Sequence, residues 1–201
     1  VTDYDFREIK LQATGQHCQS AIYLPWQRKR ITYVTLDNNW GANVFFTATL
    51  SGCSIYITGP AHHPTVYHAN AFGIGDNAQN RDQLKRQYMD GLYSIAAGDA
   101  TLANLTHVLR PESYDTVDDM IARKEAQGRV FAGGAHKHCY RNDTFVAGVR
   151  KSGTWRFYYQ RSAEMHYSRP KRTLPNLFRT NKRMKQLPIK MKVYSYPLPE
   201  A

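Results

Sequence analysis

Three cysteines in 201 residues are too few for a disulfide framework, and a chain of this length buries an adequate core without staples. Cys18 and Cys139 leave room for one bridge. Zinc signatures are missing too: His62, His63, His68, His136, His138 and Cys139 are suitable ligand types, but no Cys-x-x-Cys, His-Glu-x-x-His or other regular ligand spacing occurs. Neither a metal nor a cofactor is called for. No apolar stretch approaches the eighteen or so residues of a membrane helix, and no signal-peptide pattern, repeat or low-complexity tract is present. Acid is scarce, with 16 Asp and Glu against 27 Lys and Arg and a net charge of +11.

What the chain has in quantity is strand-like sequence. Residues 5–11, 21–24, 31–36, the region 43–71, then 129–132, 144–150 and 154–160 read as strands, the last two joined by the hairpin signal Lys151-Ser152-Gly153. Helical patterns are fewer. Residues 79–96 place Leu84, Tyr88, Leu92 and Ile95 at intervals of three and four, 115–127 run from a capping acid to a stop at Gly128, and 100–109 form a weaker third helix. Strands in runs with helices interposed predict an α+β fold: a mixed β-sheet sandwich flanked by helices, in a single domain over 1–201.

The most chemical segment is Phe45-Phe46-Thr47-Ala48-Thr49-Leu50-Ser51-Gly52-Cys53, with His68 fifteen positions after Cys53. Ser51-Gly52 reads as a turn between strands, and a turn containing Gly can bring backbone N–H groups round to one point, as an oxyanion hole beside the sulfur requires. The loop signal Gly59-Pro60-Ala61-His62-His63-Pro64 predicts an antiparallel hairpin. With Ile57 opposite Pro64, Cys53 falls opposite His68, Cβ atoms roughly 5 Å apart on one face. A thiol so placed can give its proton to the imidazole and become a thiolate, its pKa falling below the free value of about 8.5.

These residues resemble the bacterial toxin deamidases typified by the cytotoxic necrotizing factors and, through the longer Phe-Phe-Thr-x-x-Leu-Ser-Gly-Cys, by Burkholderia lethal factor. The resemblance covers 45–68. It implies a toxin that converts one glutamine of a host protein to glutamate, the target being a Rho-family GTPase or a translation initiation helicase. It implies Cys53 as nucleophile, His68 as its histidine and Thr47 as a further site residue, with no cofactor. It also implies the same sandwich layout. The family uses a tyrosine from its second half, for which Tyr114 is a candidate left unassigned. A working thiol suits the reducing host cytosol after secretion by a bacterium, and Val1 in place of Met leads us to expect either a trimmed chain or a catalytic piece cut from a longer toxin. Transglutamination is a close neighbour, since only the second nucleophile differs.

Other readings of the same residues remain open. A lone cysteine in a strand is commonly a small core residue, His68 alone is a surface or core-edge histidine, and Thr47 alone merely favours strands. The charge is concentrated in 169–192, where Arg169, Lys171, Arg172, Arg179, Lys182, Arg183, Lys185, Lys190 and Lys192 occur with no acid. Broken by Pro170, Pro175 and Pro188, this segment is expected to be extended loop until a closing strand over 187–196. It serves as solvated charge, as a docking face for an acidic protein or anionic membrane, or as a nucleic-acid site with Tyr158, Tyr159 and Tyr167 stacking on bases. A basic nucleic-acid-binding toxin domain with a structural Cys53 is thus the rival from another class.

Overall fold

The computed structural model describes residues 20–98, 102–114, 136–170, 184–190, 194–198 and 200, with only the backbone described over 136–143, 162–170, 184–190 and 194–197. The strands expected at 5–11 and 129–132, the helix at 115–127, Cys18, and 171–183 of the basic segment lie outside the described residues.

In chain order the elements are β1 (Ala21–Leu24), β2 (Ile31–Thr35), β3 (Val44–Thr47), β4 (Cys53–Thr58), β5 (Thr65–Asn70), α1 (Arg81–Ala96), β6 (Leu105–Leu109), the four-residue helix α2 (Pro111–Tyr114), β7 (His136–Lys151), β8 (Thr154–Pro170), β9 (Met184–Lys190) and β10 (Tyr194–Pro197). They form two sheets. The larger has six strands, ordered β1-β3-β7-β8-β10, with β9 pairing farther along β8; β1 and β3 run parallel and the other pairs antiparallel. The smaller is antiparallel, ordered β2-β5-β4-β6. The fold is therefore α+β, a mixed-sheet sandwich with few helices.

Alternation along the strands decides what enters the sandwich. Ile22 and Leu24, Phe45, Ile55 and Ile57, Val66, Leu109, Val146, Trp155 and Phe157 contribute to one cluster between the sheets. Each fully buried aliphatic side chain contributes about 1.5–3 kcal/mol relative to exposure. The opposite face of the smaller sheet presents Tyr56, Tyr67 and Ala69 to α1. There Tyr93 stacks on Tyr56 with ring centroids 4.7 Å apart and meets Tyr67 edge-on at 5.3 Å. These rings set the rotation of the helix. Its buried residues are Met89 and Tyr93, so the line expected through Leu84, Tyr88, Leu92 and Ile95 is turned partly outward, leaving Ile95 78% exposed.

Three local expectations are corrected. The helix expected at 100–109 is not formed by its described residues, 102–109: a short 3₁₀ turn at Leu102–Asn104 leads into β6, because β4 offers an open edge and Thr106 Oγ1 bonds Ile57 O. Strand pairing in the basic segment starts earlier than 187, at Met184, and Arg169 already belongs to β8. The β4–β5 hairpin is shifted by two residues from the expected register. Its closing pair is Thr58 with Thr65, so Ile57 faces Val66, Ile55 faces His68, and Cys53 faces Asn70. The cause is the loop, which uses all six residues from Gly59 to Pro64: Gly59 takes φ +83°, His63 N–H bonds Pro60 O, and Pro64 has no N–H to donate to a ladder. The β7–β8 turn follows expectation, with Lys151 opposite Thr154 and positive φ at both Ser152 and Gly153.

Candidate active site

Cys53 begins β4, directly after a Gly52 that sits at φ +68°, a left-handed conformation favouring glycine. Side chains at 53, 55 and 57 enter the sandwich, and so do those at 66, 68 and 70, which face them. A shift of two residues preserves this parity. Cys53 and His68 therefore share a face as diagonal neighbours, about 7–8 Å apart along the backbone and within reach of a long side chain.

Tyr114 and Asn70 hydrogen-bond Cys53 from its two sides. On one side β6 ends at Leu109, opposite Ile55, and Pro111 turns the chain into α2, so among the described residues no strand pairs with Cys53 on that side. Tyr114, the last residue of α2, replaces it. Its hydroxyl accepts from Cys53 N–H at 2.9 Å and donates to Cys53 C=O at 2.6 Å. On the other side, Asn70 Nδ2 donates to Cys53 Sγ at 3.1 Å. The amide orientation follows from its other end, where Oδ1 accepts from Lys29 N–H at 3.2 Å and from Phe72 N–H at 3.0 Å. A longer contact of 3.9 Å runs from Sγ to Ser51 O.

Cys53 is 1% exposed and His68 fully buried. Neither ring nitrogen of His68 has a hydrogen-bond partner among the described residues. Burial alone pulls its pKa from 6.5 down to about 4, because a charged imidazolium loses its hydration there. The ring is thus neutral at physiological pH. His62 and His63 are exposed in the hairpin loop and stand apart from it. Among the described residues no group of His, Cys, Asp and Glu side chains converges as metal ligands do.

Thr47 also points into the sandwich, at 4% exposure, but its Oγ1 accepts from Val146 N–H at 3.0 Å. The β3–β7 ladder stops at Phe46 opposite Ala147, and the Thr47 hydroxyl extends it by one bond. Leu50 then bridges to Thr144, which pairs with Arg161 on β8. Arg161 is 2% exposed and has the parity of Trp155 and Phe157, which places a cation on the inner face at this end of the sandwich.

A cleft of about 630 Å³ opens beside the site. Gly52 and Ala71, the next register step outward from the Cys53–Asn70 pair, both line it, together with Ser51, Phe72 and residues of α1. Both charge signs occur on its walls. Lys85 pairs with Asp76 at 2.9 Å, Arg86 with Glu112 at 3.5 Å, and the more buried Arg110 with Asp90 at 2.7 Å. Asp90 also accepts from Tyr56 OH at 2.7 Å, and burial first, then that carboxylate, raises the Tyr56 pKa. At the lip, the Arg28 guanidinium lies 4.6 Å from the centre of the Phe72 ring.

The sequence had nominated Cys53, His68, Thr47, Ser51 and Gly52. Cys53, His68 and Thr47 all lie on inner faces, while Ser51 and Gly52 stand at the cleft. Asn70 was missed as a contact of the sulfur, although its parity with His68 on β5 was a usable signal. No protein-family model matches the chain, and no curated protein does. No helix among the described residues is long and apolar enough to cross a membrane.

Proposed function

We propose that this protein is a deamidase acting on a glutamine of another protein, with Cys53 as nucleophile and no cofactor. The observation that carries the reading is the way Cys53 is held. Its backbone is pinned by Tyr114, its sulfur is met by Asn70, an unprotonated His68 shares its face, and a left-handed Gly52 separates it from a cleft. The Leu-Ser-Gly-Cys sequence with its trailing histidine supplies the reaction type.

The Cys53 proton passes to His68, and the thiolate attacks the carboxamide carbon, forming a C–S bond while the carbonyl electron pair moves to oxygen. Cys53 N–H is already bonded to Tyr114, so the N–H groups of Ser51 and Gly52 are the ones that receive the oxyanion; one such donor contributes about 3–4 kcal/mol. Collapse of the adduct expels ammonia with the proton from His68. Water then attacks the thioester, His68 takes its proton and returns it to sulfur, and glutamate leaves. The sum is amide plus water giving carboxylic acid plus ammonia, which leave as carboxylate and ammonium.

Because sulfur and imidazole are both buried, the glutamine side chain gains access only when the 51–52 turn and the 71–73 loop part. In this reading a bacterium secretes the protein and its target, a translation factor or small GTPase, is met in the host cytosol. The test is ammonia release from host-cell extract by wild-type protein and by Cys53→Ser. Release that depends on Cys53 supports the reading, and equal release from both removes Cys53 from the chemistry.

A further inference from the structure

In the reaction as drawn, His68 receives the thiol proton, but nothing in it explains what steadies the sulfur once that proton has gone. The imidazole makes no hydrogen bond to Cys53. The group that does reach the sulfur is a neutral amide, 3% exposed, in the facing strand. We propose that Asn70 is a catalytic group of this site: its Nδ2–H binds the Cys53 sulfur as the thiolate and fixes its direction, while Oδ1 is anchored on the backbone.

Geometry fixes which end of the Asn70 amide meets the sulfur. An amide can turn its oxygen or its nitrogen toward a neighbour, and the surrounding hydrogen-bond network decides which. Here Lys29 N–H and Phe72 N–H, both obligate donors, approach one end, so that end is oxygen and the end facing Cys53 is the NH₂. A donor facing sulfur favours the anion over the thiol, since hydrogen bonding to a charged form stabilises it. Asn70 N–H bonds Arg30 O as well, and Tyr88 OH bonds Lys29 O, holding Lys29 at φ +55°, where a non-glycine residue is strained. The backbone around the amide is thus tied down from three directions. Among the described residues, the titratable or charged groups on the same inner side as Cys53 include His68 on β5, Tyr114 of α2, and Tyr159 and Arg161 on the inner face of β8.

The inference rests on Cys53 being the nucleophile, and its test needs no substrate. In a full-length Cys18→Ser, Cys139→Ser background, Cys53 is the remaining thiol, and its ionisation is followed by ultraviolet thiolate absorbance across pH. Asn70→Asp keeps an oxygen acceptor for Lys29 and Phe72 while replacing the donor with a carboxylate. The expected result is a Cys53 pKa below the free value of about 8.5 in the parent and higher by at least one unit both in Asn70→Asp and in Asn70→Ala, which removes the donor without adding a charge, about a tenfold loss of thiolate near neutral pH; a rise in Asn70→Asp alone is repulsion by the new carboxylate and overturns the proposal. A folded Asn70→Asp protein with the parent's titration would overturn the proposal. Should Asn70→Asp not fold, the Asn70 side-chain amide proton is followed by NMR in the parent: it moves with the Cys53 titration and ceases to in Cys53→Ala. An amide resonance indifferent to Cys53 ionisation overturns the proposal equally. Failure of the deamidase reading shows separately, as an Asn70-dependent thiolate that changes no glutamine.

Discussion

The hydroxyl of Tyr114 pairs with the backbone of Cys53 as a neighbouring strand would, accepting from its N–H at 2.9 Å and donating to its C=O at 2.6 Å. Both residues are 1% exposed, so neither backbone group can turn to water if the hydroxyl is lost. Tyr114→Phe keeps the ring in the core and orphans both. A buried polar group left unpaired costs about 1–3 kcal/mol, and we expect Tyr114→Phe to lower the unfolding free energy by about 3 kcal/mol in urea titration. A change below about 0.5 kcal/mol, the range of ordinary surface substitutions, would mean that the hydroxyl does not hold Cys53.

Thr47 offers a test that separates scaffold from chemistry. Its Oγ1 serves Val146 N–H, so Thr47→Val, equal in shape, leaves that N–H buried without an acceptor and is expected to cost about 1–3 kcal/mol. Thr47→Ser keeps the oxygen and is expected to retain both fold and ammonia release. If Thr47→Ser folds normally but releases no ammonia, the threonine acts in the reaction itself, as the family resemblance implies.

His68 makes stability depend on pH. Its folded pKa of about 4 lies below the ordinary 6.5, so between these values the unfolded chain binds more protons and folding weakens as pH falls. The contribution is fully present above about pH 6.5 and is lost as acid drives the pH down toward 4. One pKa unit corresponds to about 1.4 kcal/mol, which gives a loss of about 2 kcal/mol between pH 7 and pH 5. Urea midpoints at the two pH values should show this loss in wild-type protein and not in His68→Gln. An equal slope in both would place the pH dependence elsewhere.

Local signals made much of the fold legible and left its long-range pairings hidden. The turn residues between Ile57 and Val66 and at Ser152-Gly153 announced both hairpins, and β1 falls on the expected 21–24. The β4–β5 register was read two residues short because the closing pair depends on how the Gly59 loop folds, which composition does not state. Residues 100–109 looked helical until β4 supplied an edge to pair with. Cys53 and His68 could be placed on one face from parity alone, since a two-residue shift leaves parity intact. Tyr114 reaches Cys53 across 61 positions of sequence and Thr47 reaches Val146 across 99. Nothing periodic in the chain encodes contacts of that kind. Asn70 lies closer, but which end of its amide meets the sulfur is fixed only by two backbone donors.

The most direct measurement is peptide mass spectrometry of host-cell proteins exposed to wild-type and Cys53→Ser protein, read for the gain of about 1 Da that marks amide converted to acid by the thioester route. The account predicts that gain at a defined glutamine of one host protein with wild-type only. No such gain, with the biological effect persisting in Cys53→Ser, would contradict it.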